Sequence, residues 1–203
     1  MTFVTVVLAA GDSTRMGTPK ALLRIENRTA IEHIVANAAS AGSCDVIVCT
    51  SKSLASELPE MVARVLVVPE DERSRGPIAS IRHGLTIGAA AIDEIPEAWV
   101  VWPVDHPFVE PATLHALLDA PGPCRTPTYE GRGGHPIVIS EGAREHLLEF
   151  TSSGATLRDF FDTKGRAAVE VEDPGVRQNC DTLATFTAYF EAYRRRYEDR
   201  GSD

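Results

Sequence analysis

Arg15 and Lys20 stand in a stretch punctuated by Gly11 and Gly17, directly after the short apolar run at residues 3–8. Two cations in such a loop suit a polyphosphate: glycine lets the main chain come close to a ligand, and amides and side-chain charge can face one space. The spacing is not that of a Walker A loop, because Ala21 rather than Ser or Thr follows Lys20, and it is not GxGxxG. A turn that merely ends the first strand is the alternative. The second group with chemistry is Asp105, which follows the apolar run at residues 98–104 and precedes Pro107. Mg²⁺ takes only one or two protein carboxylates and leaves its other positions to water and phosphate oxygens. One Asp there is enough to anchor an ion that neutralises charge on a phosphoryl group. The alternative is a turn residue capping the next helix. Asp181, with the weaker candidate Asn179 beside it, offers a second carboxylate, and it or Thr182 would otherwise cap the last helix.

Alternating strand and helix segments must position these residues. Residues 3–8, 45–49, 64–68 and 98–104 read as buried strands, short and rich in β-branched residues. Residues 29–41 and 77–91 read as helices, and another begins near Pro111. This order implies an α/β fold with a mostly parallel sheet between two helical layers. Ligands on such sheets bind beyond the carboxyl ends of the strands, which puts the loop after Leu8 and the turn at Asp105 on one edge. The later part is less regular: a strand at 135–139, helices at 141–150 and 156–161, and a strand at 167–172. The last helix, roughly 183–197, spaces Leu183, Phe186, Phe190, Tyr193 and Tyr197 as a packing stripe, and Arg194, Arg195 and Arg196 suit its solvated end.

The chain of 203 residues is read as one domain, with a regular part at about 1–110 and a less regular one at about 111–203. A net charge of −9 argues against general nucleic-acid binding. No apolar run reaches the ~20 residues needed to span a bilayer. Cys44, Cys49, Cys124 and Cys180 form no CxxC pair and suit a reducing compartment. With no leader-like segment after Met1, the expected location is the cytoplasm.

Leu8-Ala9-Ala10-Gly11, Ser13, Arg15-Met16-Gly17, Pro19-Lys20 and Leu22-Leu23 resemble the opening motif of the MobA-like nucleotidyltransferases. That family includes the enzymes that attach CMP or GMP to the molybdenum cofactor. Pro103-Val104-Asp105-His106-Pro107-Phe108 resembles its D-x-P-F segment, Gly76-Pro77-Ile78-Ala79-Ser80 its glycine-led helix start, Gly133-Gly134-His135-Pro136 its G-H-P segment, and Asp181-Thr182 a pair ahead of its final helix. The resemblance implies a Rossmann-like, doubly wound fold of the nucleotide-diphospho-sugar transferase type. It implies Mg²⁺-dependent nucleotidyl transfer with Arg15, Lys20 and Asp105 catalytic. A nucleoside triphosphate would be held by Leu8, Ala9, Ala10, Gly11, Ser13, Arg15, Gly17, Lys20, Gly76 and Ser80. Asp105 and Asp181 would hold the metal, and Gly134 and His135 a small phosphate acceptor, of which molybdopterin fits best. It leaves room for a molybdoenzyme or chaperone as protein partner. His106 fills a variable slot and is expected as an exposed turn residue.

Ala10 stands where guanylyl-transferring relatives usually carry a second glycine, which favours CTP over GTP. Two features depart from the family: Leu183-Ala184-Thr185 replaces proline and acids, and Thr151-Ser152-Ser153-Gly154-Ala155-Thr156 lacks the Asp and Arg of the cytidylyltransferase loop. These keep two alternatives open. One is transfer to a sugar phosphate or another small phosphate, and the other a diverged protein that binds a nucleotide or redox cofactor without nucleotidyl transfer.

Overall fold

The computed structural model describes residues 1–11, 17–74, 77–150 and 156–200. In chain order the elements are β1 (Phe3–Ala9), β2 (Arg24–Ile25), β3 (Arg28–Thr29), α1 (Ala30–Ser40), β4 (Asp45–Thr50), α2 (Lys52–Ala55), β5 (Arg64–Val67) and α3 (Glu70–Ser74). They continue with α4 (Pro77–Ala90), β6 (Ala98–Pro103), α5 (Pro111–Asp119), β7 (Cys124–Tyr129), β8 (Arg132–Gly133), β9 (Ile137–Ser140), α6 (Glu141–Glu149), α7 (Leu157–Lys164), β10 (Ala167–Glu170) and α8 (Leu183–Arg200). The main sheet runs β10-β7-β9-β6-β1-β4-β5, with β8 paired to β7. β5, β4, β1 and β6 are mutually parallel, and β9 lies antiparallel between β6 and β7. The architecture is the expected α/β one, a mostly parallel sheet between helices.

Strand β1 is buried on both sides because its residues alternate between two apolar layers. Val7 faces Ile31, Ile34 and Ala38 of α1 and Leu114 and Leu117 of α5. Val4 and Val6 face Ile81 and Leu85 of α4, Leu147 of α6 and Phe160 of α7. Helix α4 comes unusually close. A Cβ on Gly84 would stand 2.9 Å from Cys49 Sγ and 3.2 Å from Val6 Cγ1, and one on Gly88 would stand 3.0 Å from Ile47 Cδ1. Gly84 faces Val6 and Leu8, whereas Gly88, one turn later, faces Val6 and Ile47. The helix therefore runs against β1, and its first turn, with Ser80, lies at the carboxyl end of that strand. Between β1 and β6 the chain reverses its direction of winding, since β4 and β5 continue to one side and β6 to the other. Open α/β sheets form their ligand crevice at such a point.

The pattern missed β7, whose sequence CRTPTY holds no apolar run. Proline is tolerated because Pro127 falls between two pairings: Cys124 and Arg125 face β9, whereas Thr128 and Tyr129 face β8. Arg125, although charged, is fully buried and donates through Nη1 to the carbonyls of Leu117, Leu118 and Ala120 at the end of α5. Strand β9 starts at Ile137, two residues later than expected, after a cis His135–Pro136 bond.

The middle of the α8 stripe is buried. Phe186 and Tyr193 pack on Phe108, with ring centroids 5.5 and 5.4 Å away, while Leu183 and Tyr197 stay exposed. Arg196 is not a solvated helix end. Its Nη1 lies 3.5 Å from Glu110 Oε1 and 3.7 Å from Asp173 Oδ1. His33 of α1 meets Tyr193 Oη at 3.2 Å and Asn37 Nδ2 at 3.3 Å through Nε2. Burial, with a smaller contribution from Arg28, pushes its imidazole down to about 4. The folded protein thus binds a proton at His33 less readily than the unfolded chain does. Its contribution to stability is complete above the unfolded value near 6.5 and is lost as pH falls towards 4. Acidification from pH 7 to 5 is expected to cost on the order of 1–2 kcal/mol at this residue, about 2–8 °C in Tm. His33→Gln should flatten that slope in thermal denaturation, and equal slopes for the two proteins would refute the assignment.

Candidate functional site

The carboxyl ends of β1 and β6 are joined by the main chain, where Val104 N donates to Leu8 O at 3.0 Å. Ala9 at the end of β1 and Ala10 after it are buried, and Gly11 is exposed, with open space where a Cβ would stand. Gly17 has φ +67, a conformation that favours glycine. A short 3-10 turn, Lys20–Leu22, then docks on α1, where Ala30 N donates to Leu23 O at 2.7 Å. That turn aims Lys20 back across the edge of the sheet. Its Nζ lies 2.5 Å from Asp181 Oδ1 and 3.7 Å from Asp105 Oδ2. Asp105 emerges two residues after β6, and its main-chain carbonyl accepts from Cys180 N at 2.8 Å. That single backbone bond brings the segment before α8, and Asp181 with it, to the same edge.

Neither carboxylate is used as a helix cap. Glu110 precedes α5, and Asp173 Oδ2 accepts from Glu110 N and Thr113 Oγ1 there. At α8 it is Thr182 Oγ1 that accepts from Thr185 N. Asp105 Oδ1 is buried without a hydrogen-bond partner. An orphaned carboxylate oxygen beside a second carboxylate, with an ammonium drawn between them, fits a divalent cation in chemistry and charge. Among the described residues no group of three or more His, Cys, Asp or Glu forms a metal cluster, so a bound ion would rely on these two acids and on its ligand.

His106 is buried rather than exposed, a correction with a clear cause. Its carbonyl accepts from Trp102 Nε1 at 2.9 Å, and its ring packs on that of His135 with centroids 4.9 Å apart. Burial pushes His106 down to about 4, with His135 adding to the effect and Asp105 opposing it. Burial also lowers His135, and Asp105 again opposes. Both rings line a cavity of about 600 Å³ on the far side of Asp105 from the β1 loop. Gly134 lines it too, as do Asn179 and Arg158, Arg166 and Arg177. The cavity's wall depends on a close crossing of two segments. Gly134 N donates to Pro127 O and His135 N donates to Val176 O, at 2.8 and 3.0 Å. A Cβ on Gly134 would sit 2.2 Å from Val176 O.

The sequence model of the MobA-like NTP transferase domain matches residues 5–169, well over half of the chain. The chain belongs to the MobA-like NTP transferase family. A probable molybdenum cofactor guanylyltransferase of Bacillus mycoides is 34% identical over 116 residues, 56% of this chain and 54% of that protein. Bifunctional GlmU proteins of Xanthobacter autotrophicus and Azorhizobium caulinodans are 32% and 30% identical, over 57% and 83% of this chain. The chain spans only 26% and 34% of their length. Among solved structures, Rv0371c of Mycobacterium tuberculosis superimposes with a TM-score of 0.74 at 25% identity, over 94% of this chain and 99% of that one. Its manganese complex gives 0.70 at 23%, with the same coverage. Molybdopterin-guanine dinucleotide biosynthesis protein A of Archaeoglobus fulgidus, at 0.67 and 17% over 95% and 99% of the two chains, shares the fold.

Within this MobA-like frame the structure places Lys20, Asp105 and Asp181 together, with Leu8, Ala9, Ala10 and Gly11 at the end of the adjoining strand. Ser80 lies half-buried in the first turns of α4, and Gly134 and His135 line the cavity across Asp105. Ser13, Arg15 and Gly76 lie outside the described residues, as does the loop at 151–155. Arg82 ties α4 to the end of α6 by donating to the carbonyls of Leu148 and Phe150. Sequence reasoning missed Arg158, Arg166 and Arg177, which belong to no motif. The one sequence signal was Arg177, a basic residue of an acidic chain that lies four positions before Asp181. Gly134→Ala must push the 174–177 turn away, and is expected to lower Tm by roughly 5–10 °C. Gly133→Ala, where a Cβ meets nothing within 4 Å, should leave Tm within about 1 °C. Equal Tm values for both would show that the crossing is loose.

Proposed function

We propose that the chain is a divalent-metal-dependent nucleotidyltransferase of the cytoplasm that moves CMP from CTP onto a phosphate of a molybdopterin acceptor, releasing pyrophosphate. The observation that carries the reading is the ammonium of Lys20 held between Asp181 and Asp105 at the crevice of β1 and β6. A cation on the strand-end loop is matched there with two carboxylates whose own need is for positive charge.

Lys20, with Arg15 of the same loop, would hold the phosphates of the triphosphate, and the exposed Gly11 would let the main chain approach them. Mg²⁺ held by Asp105 and Asp181 would neutralise charge on the α-phosphate and orient it. The manganese complex of Rv0371c, a protein of this fold, supports the choice of a divalent ion. An acceptor phosphate oxygen attacks the α-phosphorus in line, the bond from that phosphorus to the bridging oxygen breaks, and pyrophosphate leaves with that oxygen. The nucleophile is the acceptor's own phosphate, so the protein needs no covalent intermediate. Its work is positioning and charge stabilisation. The preference for CTP rests on Ala10, which stands where guanylyl-transferring relatives usually carry a glycine and is buried in the apolar layer that β1 shares with α4; its methyl would leave less room for a base at the strand's end. The loop at 151–156, which lacks the Asp and Arg of the cytidylyltransferases, favours one second reading: transfer to a sugar phosphate or another small phosphate.

Lys20→Ala is expected to lower turnover by about 10²–10³ with Tm little changed, and turnover near the native value would remove the loop from the mechanism. Asp105→Asn should abolish the dependence of nucleotide affinity on Mg²⁺ in calorimetric titration; an undiminished metal dependence contradicts the metal assignment. Ala10→Gly should shift pyrophosphate release towards GTP, and a wild type that already prefers GTP would overturn the choice of CTP. A screen of molybdopterin against sugar phosphates separates the two acceptor readings.

A further inference from the structure

Strand β5 ends the main sheet, and among the described residues no strand pairs with its outer side. Val68 N donates to Thr50 O of β4 at 2.8 Å. In a parallel pair every second residue turns its amide and carbonyl to the neighbour, so Arg64 and Leu66 share that direction with Val68. The main-chain groups of Val65 and Val67 therefore point off the sheet, a template for another strand. Their side chains share one face and are 40% and 46% exposed, and Val62 just before the strand is 91% exposed. Edge strands are ordinarily guarded by charge or proline. The opposite edge, β10, follows that rule, with Ala168 and Glu170 as its exposed members. β5 does not. Its one charge, Arg64, is drawn back onto Asp45 of β4, Nε to Oδ2 at 2.5 Å.

We propose that β5 pairs antiparallel with β5 of a second copy of this chain, about a two-fold axis through Leu66, joining the two sheets into one. Val65-Leu66-Val67 reads the same in both directions, as a closed two-fold contact requires. Val65 of each copy stands opposite Val67 of the other and exchanges both main-chain bonds with it. Every group that β4 leaves free in these valines is then satisfied. The exposed valines face each other across the axis as β-branched pairs. Charge agrees with this direction. The charged residues nearest the strand's middle are Arg64 at its start and Glu70 just past Pro69, both well exposed. An antiparallel pair brings the cation of one copy towards the carboxylate of the other at both rims. A strand of unrelated sequence would have to supply the apolar register and the opposite charges together. A strand of four residues makes a small contact, so the dimer exchanges with the monomer. β4 separates this edge from β1, so pairing leaves the crevice of β1 and β6 open, and the inference stands apart from the transferase reading.

The test is sedimentation equilibrium of the full chain from about 10 µM to about 1 mM. The wild type is expected to rise from the monomer mass towards the dimer mass across that range. Val65→Lys and Val67→Lys put a charge on the outer edge at side chains that are already exposed. Each should weaken association by about tenfold or more, with Tm within about 2 °C of the wild type. A second readout stands even where a lysine variant fails to fold. Leu66 is the residue that meets its own copy, as a non-bonded pair with Cα atoms about 4.5 Å apart, within the span of a disulfide. In a Cys44→Ser background, which removes the exposed native thiol, Leu66→Cys should give a covalent dimer on mild oxidation. Val62→Cys, more exposed but far from the axis, should not. A wild type that stays monomeric up to about 1 mM overturns the proposal. So does a dimer that both lysine variants leave intact, or one in which Val62→Cys cross-links as readily as Leu66→Cys.

Discussion

The arrangement of this edge of the sheet depends on one lysine between two carboxylates. Asp105 and Asp181 are brought together by a main-chain bond, Cys180 N to Asp105 O, that takes no account of their charges. Two carboxylates on one partly buried edge repel each other unless a cation stands with them. Lys20 supplies that cation in the protein alone, at 2.5 and 3.7 Å. The same side chain fixes where the loop after β1 returns to the sheet. In such an arrangement a divalent cation arriving with an anionic ligand could take over the carboxylates and leave the ammonium for the ligand's own charge.

The cavity side of Asp105 is set by a different device, close packing of main chain on main chain around Asp173. That buried carboxylate accepts from Glu110 N, Thr113 Oγ1 and Gly175 N, all at 2.8 Å. Burial raises its pKa and those three bonds oppose the rise. Asp173 thereby ties the 174–177 turn to the start of α5, and Arg196 of α8 closes on the pair from outside. Gly175 and Gly134 then let the turn lie against Phe108 and the loop before β9, since a Cβ on either glycine would meet a carbonyl oxygen at 2.2 Å. The positions of His135 and Arg177 follow from this crossing.

The parallel core was legible because strands buried on both faces must be apolar at every position. β1, β4 and β6 come close to that, with Thr5, Asp45 and Thr50 as their polar members, whereas β5, also expected to be buried, lies at the sheet's edge largely exposed; α4 follows from Pro77 near its first turn. Lys20 and Asp105 were legible for a related reason: each follows such a strand, and the carboxyl edge of a parallel sheet is where ligands go. What stayed hidden depended on long-range pairing. β7 does not look like a strand because Arg125 is buried by carbonyls from α5, and Pro127 is harmless only where its partner strand changes. Arg196 looks like a solvated helix end until Glu110 and Asp173, far away in sequence, are placed beside it. Asp181 could not be told from a cap by spacing alone, since Thr182 next to it does that work. His106 looked like a surface turn residue because nothing in its neighbourhood announces His135 as a ring partner.

Charge distribution connects the two halves. An acidic chain repels anionic ligands in general, so it must gather cations where anions are wanted. Here Lys20 stands on one side of Asp105, and Arg158, Arg166 and Arg177 on the other. The carboxylates in the middle would be unfavourable neighbours for any phosphate by itself. They become favourable only when a divalent ion occupies them, because the ion outweighs the two negative charges and offers open positions to oxygen ligands. Negative charge at the centre of a cationic crevice is therefore not a flaw in an anion site. In the proposed transfer it would make the approach of a second anion conditional on a metal arriving with the first, and would exclude a lone phosphate from that point.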